Sequence, residues 1–365
     1  MNERCALVLS PSSEGWFLPA LLTQAGWSCE VVSLSSLYAL SAHVRRLHHV
    51  EQVERLADQA LDVLQAGLDA AWVIVASDEL LADLRQRALL DRRYLALLPL
   101  VGPGGLAHLF SKLQLSRILD RSGLATPAWR IATGPEEALQ GARELGYPCF
   151  LKREACNRGR GVVRCLSSDE LNHQVLRWAP EPLLVQQELK GQLWAVEALF
   201  WRGELQAYAA SESLEEMHTF GPSLRRRYGG LIEELLALEQ LLVQLGKALL
   251  AHGWAKISLI QTMDGRWHCF EADLGPTVWL AMDQALGGEF ADVVAALPLK
   301  LQQNPRLCYG HELRELEHPQ RLVQMGVAAE RINQAWMLMP DESTAYLAGL
   351  REERFAAHLK ARRID

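Results

Sequence analysis

Long apolar runs are missing from this chain. No stretch reaches ~18 uninterrupted apolar residues, so nothing in it reads as a bilayer-spanning helix. The opening MNERCALVLSPSSEGW carries too short an apolar run for a signal peptide, and a cytoplasmic protein with no membrane partner is the expectation. Positive charge is in deficit as well, with 37 Lys and Arg against 44 Asp and Glu and a net charge of −7. That leaves no basic footprint for nucleic acid, which is not expected as a main partner. Paired cysteine spacings of the metal-binding kind are absent. Cys5, Cys29, Cys149, Cys156, Cys165, Cys269 and Cys308 are odd in number and scattered, so reduced, mostly buried thiols are expected. Internal repeats and low-complexity tracts are absent too.

What is present is a chain of 365 residues, 49% hydrophobic and 22% charged, the composition of a globular protein of two or three domains. The first hundred residues alternate as α/β units. CALVLS and CEVVSL read as short strands, WFLPALLTQAG and VEQVERLADQALDVLQAG as helices closed by Gly26 and Gly67, and AAWVIVASDEL as a buried strand. A small doubly wound sheet is predicted. Beyond a Gly/Pro turn, SKLQLSRILDRSGLATPAW gives a helix carrying Lys112 and Arg117. EEALQGARELGYPCFLK gives a helix and a strand, and SSDELNHQVLRW a helix capped by Ser167 or Ser168. Strands joined by turns at Gly191 and Arg202–Glu204 follow, then a long helix up to Gly253 and a hairpin turned by Asp264 and Gly265. The remainder reads as helical, with a solvated charge run at LREERFAAHLKARRID.

The stretch FLKREACNRGRGVV places Lys152 at the end of an apolar strand, just before a basic loop with Gly159 and Gly161. Glycines in such a loop suggest backbone N–H groups approaching an anion too closely for a Cβ, and phosphate is the leading candidate. A P-loop is ruled out because the lysine precedes the glycines. A Rossmann fingerprint is ruled out because the loop runs into a strand rather than a helix. A strand lysine followed by a hairpin that can fold over a polyphosphate remains, and such a loop, Arg153 to Gly161, is expected to be mobile without nucleotide and ordered with it.

In order along the chain stand Lys112, GYPCFLK with its glycine loop, LLVQQELKG and the acidic FEAD. Over about residues 1 to 300 this succession resembles the ATP-grasp superfamily. The resemblance implies that Lys112 and Lys152 contact nucleotide phosphates, with Gly159 and Gly161 in the loop above them. It also implies that Gln187, Glu188 and Leu189 lie beside the adenine. Two carboxylates on alternate strand residues, Glu271 and Asp273, share a face and would hold Mg²⁺. The family pattern there is Glu-x-Asn, and Asp273 replaces its asparagine. Thirteen residues before Glu271, where the family carries a further acid, stands Ser258, and Lys256 shares its strand face. Leu193 occupies the position where a ribose-binding carboxylate is expected.

SLEEMHTFGPSLRRRYGG lies where similar ligases place a loop over the acceptor substrate, and Arg225, Arg226 or Arg227 would bind a carboxylate or acyl phosphate there, with Arg225 the expected catalytic one. A solvated turn is the alternative. His48 and His49 read as surface residues, and Cys156 as an unremarkable thiol despite Lys152 and Arg158 nearby.

The expected architecture is α/β and α+β in three parts. Residues 1–108 form an N-terminal doubly wound α/β domain, 109–190 a small α+β lid with its opening helix, and 191–300 a C-terminal α+β unit, with a helical extension over 301–365. The chemistry implied is an ATP-dependent carboxylate–amine ligase using ATP and Mg²⁺, with small-molecule carboxylate and amine substrates. A degenerate nucleotide-binding protein or a phosphotransferase stays open beside it. A homodimer is compatible with the sequence and not required by it.

Overall fold

Continuous apolar runs, without the alternation of a half-exposed strand, build the first sheet. β1 (Cys5–Ser10) is buried along its whole length, as a strand covered on both faces must be. It is followed by α1 (Leu18–Gln24), β2 (Ser28–Ser33), β3 (Arg46–His49), α2 (Leu56–Gln65), β4 (Ala70–Val75) and α3 (Asp78–Leu90). The strands pair in parallel in the order β3-β2-β1-β4. This is the predicted doubly wound sheet. The polar edge strand β3 escapes the sequence pattern because its side chains are only half buried or exposed. The structure, a computed structural model, describes residues 4–154, 156, 159–178, 180–230, 232–310 and 313–318.

A second sheet begins after α4 (Lys112–Arg121). It comprises β5 (Trp129–Ala132), β6 (Cys149–Arg153), β7 (Val162–Cys165) and β8 (Leu183–Gln187), antiparallel in the order β5-β8-β6-β7. α5 (Pro135–Leu145) and α6 (Ser168–Trp178) pack against it. Of the two serines offered as the cap of α6, Ser167 serves: its hydroxyl accepts from the Glu170 N–H at 3.3 Å, and the Glu170 carboxylate accepts from the Leu166 N–H at 2.8 Å. The sheet and its helices enclose a core of their own, with Ala138, Leu151, Leu171 and Val185 at its centre.

The largest sheet contains β9 (Gly191–Trp201), β10 (Glu204–Glu216), β11 (Ser223–Tyr228), β12 (Gly253–Thr262) and β13 (Trp267–Asp273), with α7 (Ile232–Leu249) between β11 and β12. After α8 (Asp283–Leu286) and α9 (Glu289–Ala296) come the short strands β14 (Arg306–Leu307) and β15 (Arg314–Glu317). The order is β13-β12-β9-β10-β11-β15, with β14 beside β10. Val196, Ala198 and Phe200 of β9 share a core with Leu238, Leu242 and Leu245 of α7. The alternate residues Leu199 and Trp201 pack towards the first sheet, where Trp72 meets Trp201 and Trp254.

Two expectations are corrected here. SLEEMHTFGPSLRRRYGG is not a loop: its ends extend β10 and form β11, because cross-strand pairing from Ser211 and Tyr228 outward takes up the backbone groups of both arms. Residues after 301, expected as helix, supply β14 and β15, which pair with β10 and β11. Residues 319–365, with the terminal charge run, lie outside the described residues. Among the described residues no helix is long and apolar enough to cross a membrane.

Candidate functional site

Lys112 opens α4, where Ser111 caps the helix by accepting the Gln114 N–H at 3.1 Å. The Glu154 carboxylate also reaches this terminus, taking the Leu113 N–H at 3.0 Å and the Ser111 hydroxyl. An acid at a helix N-terminus satisfies otherwise orphaned donors, so Glu154 ties α4 to the end of β6. Sequence reasoning missed it, since its partner Ser111 is 43 residues away. Across the same junction the Lys112 ammonium donates to the Cys156 carbonyl. One strand residue before Arg153, Lys152 is 8% exposed and points its ammonium at the rings of Phe270 and Phe150, 5.1 and 5.9 Å away. Burial, reinforced by Lys112 and opposed by Glu271, pushes its pKa down to about 8. A cation held in so little water gains most from an anion brought to it.

Facing the two lysines is the end of β13. Opposite β12, Ser258 pairs with Glu271 and Leu259 with Cys269, so Phe270 is an extra residue without a partner. This bulge resets the alternation: Cys269 turns into the core with Leu259, while Glu271 and Asp273 turn to the face of Ser258 and Lys256. The thirteen-residue spacing from Ser258 to Glu271 thus becomes a contact, the serine hydroxyl donating to the Glu271 carboxylate at 3.0 Å. Lys256 Nζ lies 3.1 Å from Glu271 Oε2 and 3.5 Å from Asp273 Oδ2. That ammonium holds Glu271 well below the usual carboxylate range against the effect of burial, with Lys112 and Lys152 adding to it. Asp273, desolvated beside Glu271, is raised. Burial works against the charged form of Lys256, yet the two carboxylates outweigh it and raise its pKa. All three side chains keep between about a quarter and two-fifths of their surface exposed, so solvent moderates these shifts.

A hard divalent cation takes six or more oxygen ligands, counting water. Here an ammonium already lies on both carboxylates, the serine donates instead of accepting, and among the described residues no group of three or more His, Cys, Asp or Glu gathers. Glu271 and Asp273 are brought together as expected, but with Lys256 between them the pair does not fit Mg²⁺ in the chain by itself.

The glycine loop has an unexpected neighbour. Gly159 has φ +75°, and a Cβ there would lie 2.2 Å from the Phe220 carbonyl oxygen at the tip of the β10–β11 hairpin. Phe220 also stacks edge-on against Phe150 at 5.2 Å. The close approach that requires glycine is therefore made by the protein's own backbone, and the anion argument is not needed for Gly159. Gly161 is crowded by Cys156, against which a Cβ would close to 2.6 Å. Residues 155, 157 and 158 of the loop, Arg158 included, lie outside the described residues. Gly159→Ala should cost on the order of 1–3 kcal/mol of strain unless the contact opens. Faster hydrogen exchange over residues 216–222 is the expected sign of opening, and unchanged exchange with unchanged stability would contradict the contact.

The expected hinge lies at the end of β8. Gln187 donates its N–H to Ala128 at 2.8 Å, Glu188 is taken by Arg164 through two hydrogen bonds of 2.7 and 2.9 Å, and Leu189 is half-buried. The Glu188 carboxylate and the Gln187 N–H are thereby already engaged within the chain. Leu193 lies on β9 beside Ile260 and is 36% exposed.

Among the three arginines the structure turns Arg226 inward, and not the expected Arg225. Arg226 and Glu197 form an ion pair of 2.7 Å, with side chains 3% and 2% exposed. Glu197 also accepts from Thr277 at 3.2 Å and Tyr228 at 3.3 Å, and the Trp279 ring covers the guanidinium at 4.4 Å. Arg225 and Arg227 point to Glu315 on β15, at 3.8 and 2.6 Å. In the second half of β11 the side chains alternate, so Arg226 shares a buried face with Tyr228 while Arg225 and Arg227 lie on the other. His48 pairs with Glu30 at 2.7 Å and His49 with the Leu34 carbonyl at 3.0 Å, so they do not act together. All seven cysteines are free, with six buried and Cys156 half-buried. Cavities of about 470 and 540 Å³ lie on the first unit, by Glu30 and Asp62 and by Ser12 and Ser77, away from Lys152 and Glu271.

The three-part arrangement recurs in solved structures. A carboxyaminoimidazole ribonucleotide synthase from Aspergillus clavatus, complexed with ATP, superimposes with a TM-score of 0.69 over 90% of this chain and 87% of its own, at 16% identity. The chain has the ATP-grasp fold. Within this fold it is similar as well to the biotin carboxylase domain of Hydrogenobacter thermophilus 2-oxoglutarate carboxylase, a complex with MgADP, ADP and bicarbonate. That likeness has a TM-score of 0.65 and 16% identity, and covers 83% of this chain and 71% of that one. By sequence, D-alanine–D-alanine ligase of Acidovorax ebreus is 25% identical over 193 residues, 49% of this chain and 58% of that protein. Matches to the curated relatives span 58% or less of their lengths. No family model matches the chain.

Proposed function

We propose that this ATP-grasp chain is an ATP-dependent ligase that joins a small-molecule carboxylate to an amine. The observation that carries the reading is the convergence of Lys112 and Lys152, from α4 and β6, upon Glu271 at the end of β13. Two ammonium groups acting on the same carboxylate suit a polyphosphate, and Lys152 is desolvated enough to bind one strongly. The ATP complexes among the similar structures support the same nucleotide here.

In this reading Lys112 and Lys152 neutralise and orient the phosphates, and the hinge backbone meets the base. Oxygen of the substrate carboxylate attacks the γ-phosphorus, the bond to the β-phosphate oxygen breaks, and ADP leaves with that electron pair. The acyl phosphate then accepts the amine at its carbonyl carbon, inorganic phosphate departs, and the amine loses a proton to yield the amide. Lys152 keeps its proton throughout and contributes charge and position. Mg²⁺ would enter as the counter-ion of the nucleotide.

A second reading has support of its own. Lys256 on the acidic pair and Ser258 beside it are features that a nucleotide-binding protein without ligase chemistry would also show. ADP release assayed with pools of amino acids and small carboxylates separates the readings. Amine-dependent release is the expected result. Release without an amine would move the assignment to phosphoryl transfer, and none would favour the binding protein.

A further inference from the structure

The Glu271–Asp273 pair sits where a metal site would be sought, and its surroundings argue for another occupant. Register places Lys256 directly opposite Asp273 and Ser258 directly opposite Glu271, so both reach the pair from β12, a strand paired on both sides. On its other side Lys256 faces Glu197, but that carboxylate is already engaged by Arg226, Tyr228 and Thr277. The ammonium is therefore committed to Glu271 and Asp273, at 3.1 and 3.5 Å. Lys112 and Lys152 also act on Glu271, so three ammonium groups bear on this carboxylate. Asp78 of α3 is a further carboxylate acting on Asp273. A dication brought to these oxygens would meet a fixed ammonium at ligand distance and would have to displace it.

We propose that Lys256 is the resident counter-cation of the Glu271–Asp273 pair, excluding divalent metal from the nucleotide-free chain. Metal then enters this site only together with nucleotide phosphates, whose added negative charge can draw it in. The inference concerns the chain before any substrate binds. It stands or falls independently of ligase activity, because the test uses neither nucleotide nor substrate.

The test is Mn²⁺ binding to the full chain, followed by loss of the free-ion electron paramagnetic resonance signal. Lys256→Met keeps the aliphatic stem and removes the charge. It should take up one Mn²⁺ at least ~10-fold more tightly than wild type, since a like charge at contact distance is gone. Adding Glu271→Gln to Lys256→Met should abolish that uptake. The proposal is overturned if wild type binds one Mn²⁺ that Glu271→Gln alone removes, or if a folded Lys256→Met binds no better than wild type. Should Lys256→Met fail to fold, wild type and Glu271→Gln decide. No Mn²⁺ on wild type, or uptake that Glu271→Gln leaves unchanged, supports an excluded site, and uptake lost in Glu271→Gln defeats it.

Discussion

Replacing Glu197 by Ala should cost about 3–5 kcal/mol of folding stability, because it strands a buried guanidinium without its carboxylate. Arg226 is held at 2.7 Å with both side chains at most 3% exposed, and the same substitution strips partners from Tyr228 and Thr277. The loss should appear as a lower denaturant midpoint. A paired change, Glu197→Gln with Arg226→Met, should recover much of it, since no charge is then left alone in the core. Arg225→Ala is the control. Its contact with Glu315 is 3.8 Å at an exposed edge, so a loss within about 1 kcal/mol is expected. Equal losses for Glu197→Ala and Arg225→Ala would refute the inward assignment of Arg226.

Lys152→Met should weaken ATP binding by about 10- to 100-fold, the ~1.5–3 kcal/mol of a charge-assisted contact, and should not destabilise the fold through charge loss. The sign on stability follows from the lowered pKa. Below about pH 8 the folded protein holds a buried charge that the unfolded chain, with a pKa near 10.5, carries in water, and the cost is present in full. Between those values the unfolded state binds more protons than the folded one, so stability rises with pH until the cost is relieved. Nucleotide affinity should move the other way, falling as pH climbs through about 8 while Lys152 discharges. Titration calorimetry across that range should show the fall in wild type and a flatter profile in Lys152→Met. A variant that binds ATP like wild type would remove Lys152 from the site.

Much of the site is legible in the chain because its parts are local. Lys152 ends an apolar strand, Glu271 and Asp273 alternate on another, and the turn at Asp264 and Gly265 pairs that strand with the one carrying Lys256 and Ser258. The doubly wound first sheet is legible for the same reason: a run such as Cys5–Ser10 is too apolar to face water on either side. Hydrophobic period, turn chemistry and strand parity operate within a dozen residues, and the sequence carries all three openly.

What only the tertiary structure decided are the contacts between segments far apart in the chain. The bulge at Phe270 turns Glu271 towards Lys256, and neither β13 alone nor its composition signals the shift in register. Register shifts between Ser213 and Glu216 likewise leave parity along β10 and β11 unreadable, so the choice of Arg226 over Arg225 depended on where Glu197 lies in β9. Gly159 answers to Phe220, and Ser111 to Glu154, across sequence gaps that no local pattern spans. For the charged groups the determining quantity is desolvation, and for Gly159 it is steric contact. A charge or a carbonyl is committed by what removes its water, and that neighbour comes from another part of the chain.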